Sequence, residues 1–351
     1  MSGGAKHRGR QILFRCDGTA QTGLGHASRC LALAEALTEA GCECHFAGHW
    51  NEAGRELVCA AGMSLAEVAA PTGSSQDAVE TAEMAGRLPA AAIVADSYEI
   101  DANYLNQLQR GTTAVILIDD FARLPRYPCH ALVNFTVNAR ALPYPKQDIV
   151  CLLGPEYFFA RHRLRQLRAK KANSKLDNKK ICVAIGGVDR HDLSFRVIEA
   201  LLPLAGQLAV RVVVSKSHPG LSKLEQLLQP FRAGSSLQVQ LPDLSEIFAW
   251  TDLCFCGGGL TKYEAAYLGI PTAVISQTED QAGETIEFAR RGLAVDFGLG
   301  TRLDTSLLSK KILDWLADSE RHLACRRAAL LTFPADPTRN AAEALVKLFG
   351  A

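Results

Sequence analysis

Two glycine-bearing loops hold the side chains of this 351-residue chain best suited to chemistry. The first, RCDGTAQTGLGH over 15–26, presents Arg15, Asp17, Gly23 and Gly25 and ends in His26, where an apolar helical periodicity begins. Its glycines permit close backbone approach and positive φ. An imidazole at that point is either a packing residue of the helix start or a general base, since its ordinary pKa of about 6.5 leaves much of it neutral at physiological pH. A helix N-terminus also disfavours imidazolium. The loop is not a dinucleotide fingerprint, because Ser28 and Arg29 stand where the third glycine belongs, and it lacks a Walker lysine.

The second loop lies in CFCGGGLTKYEAAYLGIPTAVIS over 254–276. An apolar strand runs into Gly257, Gly258 and Gly259; Thr261 then begins a helix that stops at Gly269, with Pro271 just beyond. The amides of such a turn, with the helix dipole, suit a diphosphate without requiring a metal. Glu264, three residues beyond Thr261, either accepts both hydroxyls of a ribose or closes a capping box on Thr261. Three further loops follow apolar runs: Asp96, Ser97 and Tyr98; Asp119 and Asp120; and Gly186, Gly187, Val188 and Asp189. Cleft chemistry or turn formation would recruit such residues equally well. Asp119 and Asp120 do not face each other in an extended chain and make a poor acid/base pair.

Positioning these loops requires strands that end just before them. Short β-branched runs predict strands over 11–16, 42–47, 91–95, 113–118 and 131–134, and, after a basic stretch over 161–180, over 181–185, 210–214, 237–239, 253–256 and 272–275. Helical patterns fall between most of them, and Ala27, Cys30, Leu31, Ala34 and Leu37 form one apolar stripe. The alternation predicts an α/β protein of two Rossmann-like, doubly wound domains. Residues 1–165 carry the histidine loop, 166–180 form a basic linker, 181–335 carry the glycine turn, and 336–351 form a C-terminal helix whose docking partner is open. Ligands of such sheets bind beyond the carboxyl ends of the strands, so the expected site is an interdomain cleft. The charges over 161–180 are either a solvated face or a phosphate or membrane contact.

Composition narrows the classes. Lys and Arg number 38 against 37 Asp and Glu, a net charge of +1, which argues against a nucleic-acid partner. No apolar run approaches the roughly 20 residues that cross a bilayer. The N-terminal MSGGAKHRGR has no apolar core behind its basic residues, so neither membrane insertion nor secretion is expected. The eleven cysteines are scattered or sit in the pairs Cys42/Cys44 and Cys254/Cys256, without zinc-ligand spacing. Each pair reads as two small buried hydrophobes on one side of a strand, and the thiols as those of a reducing cytoplasm. No D-x-D pair or His/Cys cluster points to a metal, no cofactor is expected, and oligomeric state is open.

Several segments together resemble a known family: FRCDGTAQTGLGHASRCLALAEAL, VADSYEID, LIDDFA, LVNFTVNA, GPEYFFAR, VAIGGVDRHDLSFRVIEAL and CGGGLTKYEAAYLGIPTAVIS, in order across most of the chain. The chain is similar to the UDP-sugar hydrolases of the pseudaminic acid pathway, which release UDP from UDP-2,4-diacetamido-2,4,6-trideoxy-β-L-altropyranose, and to the related spore-coat polysaccharide proteins. The resemblance implies a two-domain fold of the glycosyltransferase-B type, like the lipid II-forming N-acetylglucosaminyltransferase, with a UDP-sugar as substrate. It places Glu264 on the ribose and the turn from Gly257 to Thr261 on the diphosphate. His26 matches the family's proposed base for water and Tyr98 an active-site tyrosine. With the loop readings above, the candidate set is then His26, Tyr98 and Asp280 for catalysis, and Arg15, Asp17, Gly23, Gly25, Gly187, Gly257, Gly258, Gly259, Thr261, Glu264 and Gln281 for the nucleotide-sugar. Two departures stand out. The family's Asn-Gln after the last matched strand is Asp280-Gln281, where a carboxylate either holds the attacking water or repels the pyrophosphate, and its Arg-x-Glu-Phe is Arg161, His162, Arg163, Leu164. A glycosyltransferase and a non-catalytic nucleotide-sugar binder are the rival readings, because fold alone does not choose between them.

Overall fold

The computed structural model describes residues 9–349, so most of the N-terminal segment weighed for a secretion signal, residues 1–8, lies outside the described residues. The chain forms two compact units, Met1–His162 with Asp336–Ala351, and Arg163–Ala335.

In the first unit the strands are β1 (Arg10–Cys16), β2 (Cys42–Gly48), β3 (Ser64–Glu67), β4 (Ala92–Asp96), β5 (Ala114–Ile118), β6 (Ala131–Asn134) and β7 (Val150–Leu153). They pair in the order β3-β2-β1-β4-β5-β6-β7, all parallel. The second unit contains β8 (Lys180–Ala184), β9 (Ala209–Val214), β10 (Ser236–Val239), β11 (Leu253–Cys256), β12 (Thr272–Ser276) and β13 (Val295–Leu299). Its order is β10-β9-β8-β11-β12-β13, again parallel. Each sheet reverses its winding between its first and fourth strands, and that switch point is where open α/β sheets bind ligands. In each unit the two loops there are the ones singled out above: those after β1 and β4, and those after β8 and β11.

Central strands are covered on both faces and therefore read as unbroken apolar runs. All of β4 and β11 is buried. Three strands have no such signature in the sequence: β3 and β7 lie at the ends of the first sheet and are largely exposed, and β13 ends the second sheet. An end strand pairs on one side only, so its composition is not driven to be apolar. In β13, Asp296 and Gly298 interrupt the pattern, and the register shifts at Val274/Ile275 of its neighbour.

The helix Gly25–Glu39 buries the expected stripe, with Ala27, Cys30, Leu31, Ala34 and Leu37 all inaccessible. Both C-x-C pairs are buried free thiols on strands. The C-terminal helix Pro337–Leu348 is part of the first unit, not a separate element. It packs on the helix Gly25–Glu39, and Thr338 Oγ1 accepts the Ala160 amide at 2.8 Å. The first part of the basic stretch forms the helix His162–Ala172, in which Arg168 donates to Phe333 O at 2.6 Å and Lys171 donates to Thr251 O; residues 173–179 follow it without helix or strand, within the second unit. Arg161, just before it, pairs with Glu35 at 2.8 Å. Arg161, Arg168 and Lys171 thus hold the chain's own carbonyls and a carboxylate, whereas Arg163, Lys170, Lys175, Lys179 and Lys180 are exposed, so the stretch is a solvated face only in part.

Candidate functional site

In the first unit the loop after β1 is fastened from below. Arg15, wholly buried, donates through Nε and Nη2 to the two oxygens of Asp77, both at 2.8 Å, and through Nη1 to Asp17 at 2.7 Å. Asp17 also accepts the His49 amide and the Thr72 hydroxyl, each at 2.8 Å. Burial alone would raise the Asp17 carboxyl; the Arg15 guanidinium and these donors outweigh it and hold it below the usual range. Arg15 and Asp17, expected to touch the nucleotide-sugar, are instead turned into the protein, because a buried guanidinium needs carboxylates at hand and they need it. Gly23, at φ 70°, closes the turn by donating to Thr19 O at 2.9 Å. Gly25 is exposed and opens the helix, with open space where a Cβ would stand.

His26 sits in the first turn of that helix, whose start has no side-chain cap and no acidic residue. Its Nδ1 lies 2.7 Å from Asp96 Oδ1 at the end of β4. A carboxylate accepts only, so Nδ1 carries the proton and Nε2 the lone pair; among the described residues no protein group bonds Nε2. Arg29, one helical turn on, donates Nε to Asp96 Oδ2 at 2.7 Å and Nη2 to Oδ1 at 2.6 Å. Its Nη1 donates to both oxygens of Asp120, after β5, at 2.9 and 2.7 Å. Tyr98 donates to Asp120 Oδ2 at 2.8 Å and sets its ring edge-on to His26, centroids 4.7 Å apart. Burial pulls the Asp96 carboxyl upward, but Arg29 and His26 overcome it and hold it well below the usual carboxylate range. The structure thus brings His26 and Tyr98 together, joins the loop carboxylates Asp96 and Asp120 to them, and adds Arg29. Arg29 was legible only as an i+3 neighbour of His26, and Asp120 only as a loop carboxylate.

In the second unit the glycine turn after β11 leads into the helix Leu260–Tyr267, N-capped by Gly259 with no side-chain hydrogen bond. Thr261 is therefore inside the helix and Glu264 closes no capping box on it. Gly258 packs so closely that a Cβ there would lie 2.6 Å from Gln281 Cβ. Lys262, wholly buried, holds the turn from behind: Nζ donates to Gly258 O and, at 2.9 Å, to Glu284. Neither Lys262 nor Glu284 stood out in the sequence, where a lysine inside an apolar helix reads as surface. After β12, Thr278 caps the next helix by accepting the Gln281 amide, and Gln281 Oε1 accepts the Gln277 amide at 2.9 Å. Gln281 therefore shapes the loop, while Asp280 is exposed in the first turn of that helix. Gly187 lies exposed in the loop after β8. There Asp189 accepts the Leu193 and Ser194 amides, each at 2.8 Å, and so occupies the N-terminus of the helix Leu193–Leu201 with its own carboxylate. Of these two helix starts, the one after β11 keeps its amides clear of any side-chain cap. Among the described residues no cluster of three His, Cys, Asp or Glu could hold a metal ion, and no helix is long and apolar enough to cross a membrane.

No protein-family model matches the chain. Its homologues include the spore coat polysaccharide biosynthesis protein SpsG of Bacillus subtilis, 29% identical over 149 residues, which are 42% of this chain and 43% of that protein. The UDP-2,4-diacetamido-2,4,6-trideoxy-β-L-altropyranose hydrolase of Campylobacter jejuni is 21% identical over 296 residues, 82% of this chain and 99% of that one. The chain spans only 43% of the Bacillus protein's length and 56% of that of an archaeal relative from Methanocaldococcus jannaschii. Among solved structures, MurG of Acinetobacter baumannii superposes with a TM-score of 0.66 at 14% identity, covering 96% of this chain and 99% of that one. The rhamnosyltransferase SpnG, complexed with thymidine diphosphate, gives 0.64 at 14% over 97% and 100%. These likenesses show the fold: two doubly wound parallel-sheet units of the glycosyltransferase-B type.

Proposed function

We propose that this protein is a nucleotide-sugar hydrolase that breaks the anomeric C–O bond of a UDP-linked 2,4-diacetamido-2,4,6-trideoxy hexose. The observation that carries the reading is the imidazole of His26, its Nδ1 held by Asp96 and its Nε2 lone pair unengaged at the switch point of the first sheet. The name of the Campylobacter relative supplies the substrate class. In the reaction, water attacks the anomeric carbon while His26 Nε2 takes its proton. The bond pair of the C–O bond leaves with the diphosphate, and the products are free sugar and UDP. Base catalysis of this kind contributes on the order of 10²–10⁴ in rate. Asp96 favours the charge that the ring acquires. The nucleotide belongs on the second unit, where the uncapped amides at Gly259 and after meet charge gathering on the diphosphate; in this reading Glu264 takes the ribose and Asp280 holds the attacking water. Tyr98 walls the base.

A glycosyltransferase is the second reading, favoured by the solved neighbours, which are named as transferases. Both readings are tested by incubating the chain with the UDP-sugar and no acceptor. Release of UDP, lost by at least about 100-fold in His26→Ala, supports hydrolysis, with ¹⁸O from labelled water appearing in the sugar. Release only on addition of an acceptor alcohol selects transfer, and label in UDP rules out attack at carbon.

A further inference from the structure

In the sequence Asp120 is a loop carboxylate and a poor acid/base partner for Asp119; in the structure it holds two of the side chains that surround His26. Its two oxygens accept Arg29 Nη1, and Oδ2 also accepts the Tyr98 hydroxyl. Arg29 reaches His26 through Asp96, with Nη2 itself 3.4 Å from Nδ1, and Tyr98 reaches it through its ring. One side chain therefore ties both supports of the imidazole, while its own side chain is only 9% exposed.

Counting charge sharpens the point. The titratable groups that touch His26 are Asp96 at the end of β4, Tyr98 in the loop after it and Arg29 on its own helix; those that touch these partners include Cys30, on Asp96, and Asp120 beyond β5, on Arg29 and Tyr98. Cys30 donates its thiol to Asp96 at 3.4 Å, and burial pushes that thiol well above its ordinary value, so it stays neutral. With Asp96 and Asp120 negative, Arg29 positive and the imidazole neutral, the cluster carries one surplus negative charge. Arg29 by itself would cancel Asp96 and leave nothing to balance a protonated ring. Asp120 supplies the difference, through an interaction weakly screened in a largely buried cluster.

We propose that Asp120 is a positioning residue for the base at His26, orienting Arg29 and Tyr98 and supplying the negative charge that the imidazolium requires. The proposal rests on His26 being the base, but its test does not need turnover. Asp120→Asn keeps an acceptor oxygen for Tyr98 and removes the charge. In the substrate-free full chain, the NMR titration of the His26 ring should move to lower pH by roughly half to one unit relative to the parent. Asp120→Glu, which keeps the charge, should return it toward the parent. With UDP-sugar, the acid limb of kcat should move down by the same amount, while KM stays within about twofold. A merely structural role would lower Tm or kcat without moving the limb. If the asparagine variant does not fold, Asp120→Ser carries the same titration. A ring titration within about 0.2 unit of the parent in the folded variant overturns the proposal. A parent that releases no UDP, together with an Asp120→Asn ring titration that shifts as stated, would refute the hydrolase reading and leave this coupling standing.

Discussion

Replacing Asp96 by asparagine isolates what the carboxylate does for His26 without changing its shape. Asp96 is 1% exposed and accepts four donors: His26 Nδ1 and Arg29 Nη2 on Oδ1, Arg29 Nε and Cys30 Sγ on Oδ2. An amide has one NH₂, and either placement sets it against an Arg29 N–H. Placed at Oδ1 it also donates to His26 Nδ1, so the ring proton moves to Nε2 and the base is lost. The expected fall in kcat is about 10²–10⁴. Arg29 keeps Asp120, so the cost in stability should be that of one charged hydrogen-bond set, about 2–3 kcal/mol. Its pH dependence has a definite sign. The Asp96 carboxyl is depressed in the folded chain, so its contribution is complete above the unfolded value near about 3.9 and is lost as pH falls through the folded one. Urea unfolding of parent and variant should therefore show a difference that shrinks as pH falls below about 4. Parental kcat in a folded Asp96→Asn, or a stability difference that grows as pH falls from about 4 to 2, would refute the reasoning.

Two other perturbations bear on the second unit. In Gly258→Ala the new Cβ meets Gln281 at 2.6 Å, whereas at Gly259 it meets nothing within 4 Å. Calorimetric titration with UDP should thus give a Kd raised by about tenfold or more for the first and within about threefold for the second. Lys171 is pushed down to about 8 by burial, relieved only in part by Asp252. Between about pH 8 and the unfolded value near 10.4 the unfolded chain holds more protons, so this group's contribution to stability rises with pH. The unfolding free energy of the parent relative to Lys171→Met should increase from about pH 7.5 to 10 in denaturant titrations, and a flat difference would remove Lys171 from the account.

The central strands and the two loops that matter were legible because burial on both faces leaves unbroken apolar runs, and because glycine turns after them have few other uses. The end strands β3, β7 and β13 were not, since half-paired strands carry mixed composition. Arg15 and Asp17 look like ligand groups in a list of residues. What turned them inward is Asp77, 62 positions from Arg15 in the chain. The buried Lys262–Glu284 pair behind the glycine turn is hidden for the same reason, as its partners lie 22 residues apart.

Sequence by itself determined the α/β alternation, the placing of His26 and of the glycine turn at strand ends, and the helical stripe behind His26, because periodicity and backbone freedom are local properties. Only tertiary structure decided which nitrogen of His26 is held, that Arg29 bridges Asp96 and Asp120, that Arg15 is buried, and that the final helix joins the first unit. Those facts depend on hydrogen bonds and ion pairs between strand ends, whose pairing is chosen by the winding of the sheet and by the cost of burying a charge alone.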